Sequence, residues 1–541
     1  MTRPLLPTLL LLLPLPLLWG CSSGGGGGSD LVPIPPDPTP QFVDITAKAG
    51  LNYEYRFIKQ PRMPSIMGGG VAAGDYDGDG WIDLYVVRGD LLPNLLFRNR
   101  GDGTFEEVAK AAGVAVVGKT GSGPTFADIN GDGLLDLFIG GTNNTTPRLF
   151  LNQGKGTFKD ITASSGIVVV GDTYSAAFGD YDKDGDLDLC MAHWGDFPLL
   201  RGKTTQHLWR NNGNNTFTDV SVASGLAATI IVDSKGQDFT FTPNFADIDN
   251  DGWVDLLMAA DFGTSRVFLN NKNGTFQDIT NSVITDENGM GSAIADYDND
   301  GDQDWFVSSI WDPNGVPEGT WGVTGNRLYR NTGLGVFEDE TIPAGVQKGY
   351  WGWAASFADL DNDGNLDIIH VNGFRIPGVP GAAQTKEFEH DPTRLFMSTG
   401  NGKFVESSKK MGIDDTGQGR GLVCFDFDRD GDLDLFIANN QQPGRLLRND
   451  QKSGRYLGVK LRGKAPNTEA IGAKIYVTTG SVTQMRELRA GSNFVSQDPA
   501  EAHFGMGSQV VVEELHIIWP DGSETLMLEV PTNQRLVIQQ D

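Results

Sequence analysis

Residues 75–83 read DYDGDGWID, and the same nine-residue frame returns six more times. The other copies are DINGDGLLD from Asp128, DYDKDGDLD from Asp180, DIDNDGWVD from Asp247, DYDNDGDQD from Asp296, DLDNDGNLD from Asp359 and DFDRDGDLD from Asp426. Positions 1, 3, 5 and 9 carry side-chain oxygens. With a backbone carbonyl from position 7, they suit a hard cation that takes six or more oxygen ligands. Glycine at position 6 lets the backbone fold tightly around the ion. The candidate metal ligands are therefore Asp75, Asp77, Asp79 and Asp83; Asp128, Asn130, Asp132 and Asp136; Asp180, Asp182, Asp184 and Asp188; Asp247, Asp249, Asp251 and Asp255; Asp296, Asp298, Asp300 and Asp304; Asp359, Asp361, Asp363 and Asp367; and Asp426, Asp428, Asp430 and Asp434. Only Asn130 departs from Asp, and it still offers a carbonyl oxygen. One such match is often an ordinary acidic turn; seven in register are not.

The repeat explains the charge. A formal net charge of −28 lies largely in these loops, and seven divalent ions would halve it. Nucleic acid is excluded as a partner, because its binders cluster Lys and Arg. Without a cation, each close pair of carboxylates repels by roughly 4 kcal/mol at an effective dielectric near 20. The ion is thus expected to be part of the fold. At tenfold excess over its dissociation constant it stabilises by about 1.4 kcal/mol per site. Calcium, about seven ions and structural, is expected ahead of magnesium, which demands a stricter octahedron. The loops are not EF-hands, having no Glu at position 12 and no flanking helices.

Four segments recur around each loop. A small-residue strand precedes it (GGVAAG before Asp75) and an apolar strand follows (LYVV from Leu84). Then come a third strand ending in Asn, such as RLFLN, and a fourth of the form TFxDIT. Short strands in groups of four, at periods of roughly 50 to 65 residues, predict a β-propeller rather than several separate domains. The seventh group lacks its TFxDIT strand, and FVDIT from Phe42 supplies one at the front of the chain. Joining the two would close a ring and remove exposed strand edges. The expected fold is all-β: a seven-bladed propeller over 41–453, closed by an N-terminal strand, and a small β domain over 454–541.

Hairpin geometry puts the Asp loops and the Asn-Gly turns after strand three on one face. The long insertions, His193 to Gln206, Trp311 to Gly325 and Asn372 to Thr393, fall on the other. They carry His193, Trp194, Trp311, Trp321, Phe374, Phe388 and His390. Loops grouped on one face of a rigid scaffold are where binding resides, so these residues are candidates for a ligand face. The competing reading is that the aromatics only pack the insertions down.

Residues 1–20 have signal-peptide anatomy: Arg3, a proline-broken apolar stretch from Leu5 to Leu18, then Trp19-Gly20-Cys21. The segment resembles a bacterial lipoprotein signal, which would make Cys21 the lipidated N-terminus. The expected location is outside the cytoplasm, anchored to the outer membrane or cell surface, and otherwise secreted. A Gly- and Pro-rich tether spans 21–40. Cys190 and Cys424 read as small buried hydrophobes, too few with Cys21 for a disulfide framework.

The nonapeptide repeats resemble the FG-GAP, or VCBS, repeat of integrin α-subunit propellers, over roughly residues 42 to 450. That resemblance implies calcium in the hairpin loops. Beyond Arg455, EAIGAKIYVTTG, SQDPAEAHFGMG, IIWPDGSETL and NQRLVI resemble the ASPIC/UnbV domain. The two together look like bacterial relatives of cartilage acidic protein, a likeness that leaves biochemical activity open. In the tail, Trp519 reads as core, His503 as surface, and Pro520-Asp521-Gly522 as a hairpin turn.

Two functions follow. The first is an extracellular module that binds a protein or glycan through the insertion-bearing face. The alternative is a polysaccharide-acting lyase or hydrolase with its site at the channel mouth. No HExxH, GxSxG, Walker loop or dinucleotide motif is present, which favours binding over catalysis. Arg88-Gly89-Asp90 and Arg100-Gly101-Asp102 are explained by turn chemistry and chance.

Overall fold

A computed structural model describes residues 41–541 apart from 59–62, 144, 170, 196–205, 231–237, 313–321, 376–386 and 452–453. The signal, Cys21, the tether and Trp321 lie outside the described residues. Seven antiparallel sheets repeat one plan. In blade 1 the strands are Val71–Gly74, Asp83–Val86, Leu95–Asn99 and Phe105–Glu107, paired in sequence order. Each second strand begins at the position-9 aspartate of its loop.

Blade 7 is assembled from both ends of the repeat array. Its strands Gly419–Phe425, Asp434–Asn439 and Arg445–Asn449 are completed by Phe42–Asp44, with Phe42 opposite Asn449 and Asp44 opposite Leu447. First strands touch in turn from blade 1 to blade 7, and that of blade 7 touches that of blade 1. The ring is closed. Small residues line these inner strands because neighbouring backbones converge there; between blades, layers such as Tyr85, Leu137, Ile139 and Phe150 fill the gaps. Burying each such side chain contributes about 1.5–3 kcal/mol. Among the described residues, short helices follow three of the fourth strands: Ala109–Ala112, Leu226–Ile230 and Thr341–Ala344. No helix among the described residues is long and apolar enough to cross a membrane.

The tail forms two sheets. Arg455–Arg462 lies between Ala502–Gly507 and Gln534–Gln539, and is parallel to the latter. The second sheet runs Val482–Glu487, Lys474–Thr479, Val511–Ile518, Glu524–Pro531. Alternation on Lys474–Thr479 and Val511–Ile518 buries Ile475, Val477, Leu515 and Ile517 together with Trp519. The Pro520-Asp521-Gly522 turn closes the last hairpin, Gly522 N–H donating to the Trp519 carbonyl at 2.8 Å.

The tail's position is the main surprise of the fold. It packs on the Asp-loop face, and the segment Arg489–Pro499 enters the ring's axis. Every blade touches it through its first strand or the residue leading into that strand. Ser496 and Gln497 pair in parallel with Val71 and Ala72 of blade 1. Gln497 brackets the Phe126 backbone of blade 2 at 2.6 and 2.8 Å, and Phe178 N–H of blade 3 donates to the Ala490 carbonyl. Asn244, of blade 4, donates to the Ser492 carbonyl, and Arg489 donates to the Ile294 carbonyl of blade 5. Ser356 of blade 6 and Cys424 N–H of blade 7 both donate to Asp498. Phe494, fully buried, sits among Tyr174, Phe241 and Trp353 with ring centroids 5.2–6.5 Å away. Gly70 (φ 113°) faces this plug, and a Cβ there would stand 1.8 Å from the Val495 carbonyl oxygen.

Candidate metal loops and the family of the chain

Within each loop burial is graded. Position 9 is buried in all seven copies, positions 1 and 3 are buried or half-buried, and position 5 is at the rim, exposed everywhere but Asp251. Position 9 ties the loop to its blade. Asp83 accepts the amides of Tyr76 at 3.2 Å and Asn99 at 2.8 Å, one on each oxygen. The same pair of bonds recurs at Asp136, Asp188, Asp255, Asp304, Asp367 and Asp434. At position 1, Oδ2 accepts the amide of the position-6 glycine, as in Gly80 to Asp75 at 3.1 Å and Gly364 to Asp359 at 2.8 Å.

The other oxygens converge. In five loops the triads Asp75–Asp77–Asp83, Asp180–Asp182–Asp184, Asp247–Asp249–Asp251, Asp296–Asp298–Asp300 and Asp359–Asp361–Asp367 bring one oxygen each within 4.8 Å of one another. Oδ1 of Asp75, Asp180, Asp182, Asp298, Asp361, Asp426 and Asp428 is buried without a well-formed hydrogen bond. Buried acceptors without donors are costly, and a cation would satisfy them. Burial, then repulsion from the neighbouring carboxylates, raises Asp180, Asp359 and Asp426 to about 7 and Asp361 to about 6. Burial raises Asp83 to about 9, Asp136 and Asp255 to about 8, against backbone donors that pull the other way. The donor set is all oxygen, anionic and crowded, and it fits a hard divalent cation.

Tail cations meet these loops. Lys474 Nζ is 2.8 Å from Asp247 Oδ2 with both groups buried, and Lys460 Nζ is 3.3 Å from Asp75 Oδ2. His503 is half-buried rather than free at the surface: its Nε2 lies 2.7 Å from Asn362 Oδ1, Tyr456 stacks on its ring, and burial lowers its pKa to about 3. Sequence reasoning had no access to this docking, because Lys474 and Lys460 read as ordinary strand lysines.

Among the described insertion-face residues, Phe374 and Phe388 belong to one buried core with Trp194 packed against it. His193 is 2% exposed, with its ring nitrogens 2.9 Å from the Asp172 carbonyl and 3.1 Å from the Gln206 carbonyl, and its ring lies tilted against His207 with centroids 4.9 Å apart. Burial, then the charge of His207, lowers its pKa. Phe374 is fully buried, stacked on Trp351 at 4.2 Å, and Phe388 joins the same core. These three are packing residues rather than ligand contacts: the rings of Phe374 and Phe388 gain from leaving water, and His193 is held inside by the Asp172 and Gln206 carbonyls. Trp194 and Trp311 are half-buried, the first donating to Asp261 Oδ2 at 3.0 Å, the second under Lys348 Nζ at 5.5 Å. His390 is exposed.

The repeat matches the FG-GAP-like repeat over residues 75–139, 128–191, 247–307, 318–370 and 388–455, together more than half of the chain. The chain belongs to the FG-GAP-like repeat family. Its tail, residues 463–541, matches the ASPIC and UnbV domain. This FG-GAP chain is 26% identical to cartilage acidic protein 1 of Mus musculus over 491 residues, covering 85% of this chain and 71% of the relative. The Homo sapiens protein is 25% identical over 493 residues, covering 85% and 70%. Among solved structures, an Agrocybe aegerita lectin described as recognising non-reducing terminal N-acetylglucosamine is 18% identical with a TM-score of 0.40, covering 70% of this chain and 94% of the lectin. A Niastella koreensis GH74 enzyme is 14% identical with a TM-score of 0.37, covering 87% and 61%. Neither likeness is close enough to speak to ligands. FG-GAP repeats joined to an ASPIC/UnbV domain point to an interaction or adhesion module.

Proposed function

We propose that this chain is an exported, calcium-stabilised interaction module, held to the cell surface through a lipid on Cys21, that binds an extracellular protein or glycan. The observation that carries the choice of face is the position of the tail. It covers the Asp-loop side and fills the axis with Phe494 and Val495, which leaves the face bearing the inter-blade connections for a partner. Trp194, Trp311 and His390 are the candidate contacts there that remain accessible. The loops act in support: calcium neutralises carboxylates that burial and repulsion otherwise push toward protonation, and so holds each hairpin in one shape. The alternative is a polysaccharide-acting enzyme with its site on the same insertion-bearing face, for which the sequence carries no HExxH or GxSxG motif.

Arrays of glycans and of extracellular proteins, probed with the mature chain in calcium, test the reading. Binding that falls at least tenfold in Trp194→Ala or Trp311→Ala, with unchanged melting, supports it. Cleavage products released from a bound polysaccharide would establish the enzymatic alternative instead.

A further inference from the structure

The loop of blade 2 differs from its counterparts. Asp128 Oδ1 accepts three amides, those of Asn130 at 3.3 Å, Gly131 at 2.9 Å and Asp132 at 3.2 Å, and Oδ2 accepts Gly133 N–H at 2.7 Å. The tail adds to these: the Thr468 hydroxyl donates to Asp128 Oδ2, and Asp128 N–H donates to Glu469 Oε2 at 3.0 Å. In blades 1, 3 and 7 the corresponding Oδ1 of Asp75, Asp180 and Asp426 is buried without a well-formed hydrogen bond, the position-4 amides of Lys183 and Arg429 lying near Asp180 and Asp426. In blades 4, 5 and 6 it accepts one amide each, at 3.0–3.1 Å.

Blade 2 is also the one copy with Asn at position 3, and Asn130 Oδ1 accepts Asp132 N–H at 3.0 Å. The tail closes over the turn as well. A Cβ on Gly131 (φ 71°) would stand 2.7 Å from Pro466 Cα. A ligand oxygen must turn a lone pair toward its ion, and N–H dipoles crowded on Asp128 Oδ1 occupy that direction with positive charge.

We infer that the blade-2 loop is not a cation site but the tail's anchorage on the propeller, with Thr468 and Glu469 holding by hydrogen bonds the shape that a cation holds in the other six loops. The inference rests on the calcium reading for those six. It makes the ring asymmetric: the tail also reaches the loops of blades 1 and 4, through Lys460 on Asp75 and through Lys474 and Glu487 on Asp247, but only in blade 2 does it take the place of the ion.

Native mass spectrometry of the full mature chain counts the ions. Six are expected in the wild type, five in Asp180→Asn and still six in Asp128→Asn. Seven in the wild type with one lost in Asp128→Asn or Glu469→Gln would overturn the inference, making Glu469 a tail-supplied ligand. No ion in the wild type would instead sink the calcium reading. Hydrogen exchange in chelator then decides the anchorage by itself, and spares Asp128. The amides of 130–133 are expected to stay protected while those of 182–185 exchange. In Thr468→Ala/Glu469→Gln the first group should lose at least tenfold in protection. Equal protection of the two loops in the wild type, or no change in the double variant, would refute it.

Discussion

The carboxamide nitrogen of Asn99 donates to the carbonyl oxygen of Phe427 at 2.8 Å, across 328 positions of chain. Asn99 ends the third strand of blade 1, and Phe427 is the second residue of the blade-7 loop. The same bond joins Asn152 to Tyr76, Asn211 to Ile129, Asn270 to Tyr181, Asn331 to Ile248 and Asn449 to Leu360, each at 2.7–2.9 Å. A loop is therefore braced from the following blade as well as from its own. Blade 6 carries Ser398 in this position and lacks the brace.

Asn99→Ala is expected to cost about 1–3 kcal/mol, since a buried carbonyl loses its donor. Ser398→Asn should reach the Tyr297 carbonyl and add roughly 0.5–1.5 kcal/mol. Chemical denaturation midpoints measure both. A destabilised Ser398→Asn would mean that blade 6 departs from the plan of its neighbours.

The axis plug predicts strong dependence of the ring on the tail. Phe494→Ala should lose about 3–5 kcal/mol, the range for truncating a packed aromatic, and should lower the single melting transition of propeller and tail together. A chain ending at residue 453 exposes Tyr174, Phe241 and Trp353, and is expected to aggregate or melt far below the full protein.

Acidity should act on the chelated protein in a defined direction. Burial and mutual repulsion raise Asp180, Asp359 and Asp426 from 3.8 to about 7. The folded chain without ions then binds more protons than the unfolded chain. That stability is fully present below a pH of about 4 and is lost as pH rises through about 7. In chelator the melting temperature should fall between pH 5 and 8. The increment added by saturating calcium should grow over the same interval, because protons leave its ligands. A melting temperature that climbed with pH in chelator would contradict the assignment.

His207, immediately before the third strand of blade 3, and Asp238, at the start of the first strand of blade 4, form a buried pair at 2.9 Å. Burial would lower the His207 pKa, but the charge and hydrogen bond of Asp238 outweigh it and raise the pKa above the ordinary 6.5. The pair's contribution is therefore complete below about 6.5 and decays as pH rises through the raised value. Asp238→Asn should cost about 3–5 kcal/mol, as for breaking a buried ion pair, and flatten that part of the pH profile. His193→Ala, packed on the same ring, should likewise lower stability without acting on ligand affinity directly.

Much of this protein is written locally. Ligand spacing, strand periodicity and the stray FVDIT segment from Phe42 suffice to read seven blades, their Asp loops and the closing strand, because each signal needs only residues within one hairpin or one repeat. Cys190, Cys424 and Trp519 also read as core, by hydrophobicity alone. What the tail does was settled only in three dimensions. Lys460, Thr468, Lys474 and Phe494 are unremarkable in sequence, and their roles depend on loops hundreds of residues away. The same holds for Asp128, whose loop matches the ligand pattern yet is filled by amides and the tail, and for His193 and Phe374, which sit in long insertions but turn inward. Nonapeptide geometry is a short-range property; which surface covers it, and which rings face water, follow from the closing of the whole ring.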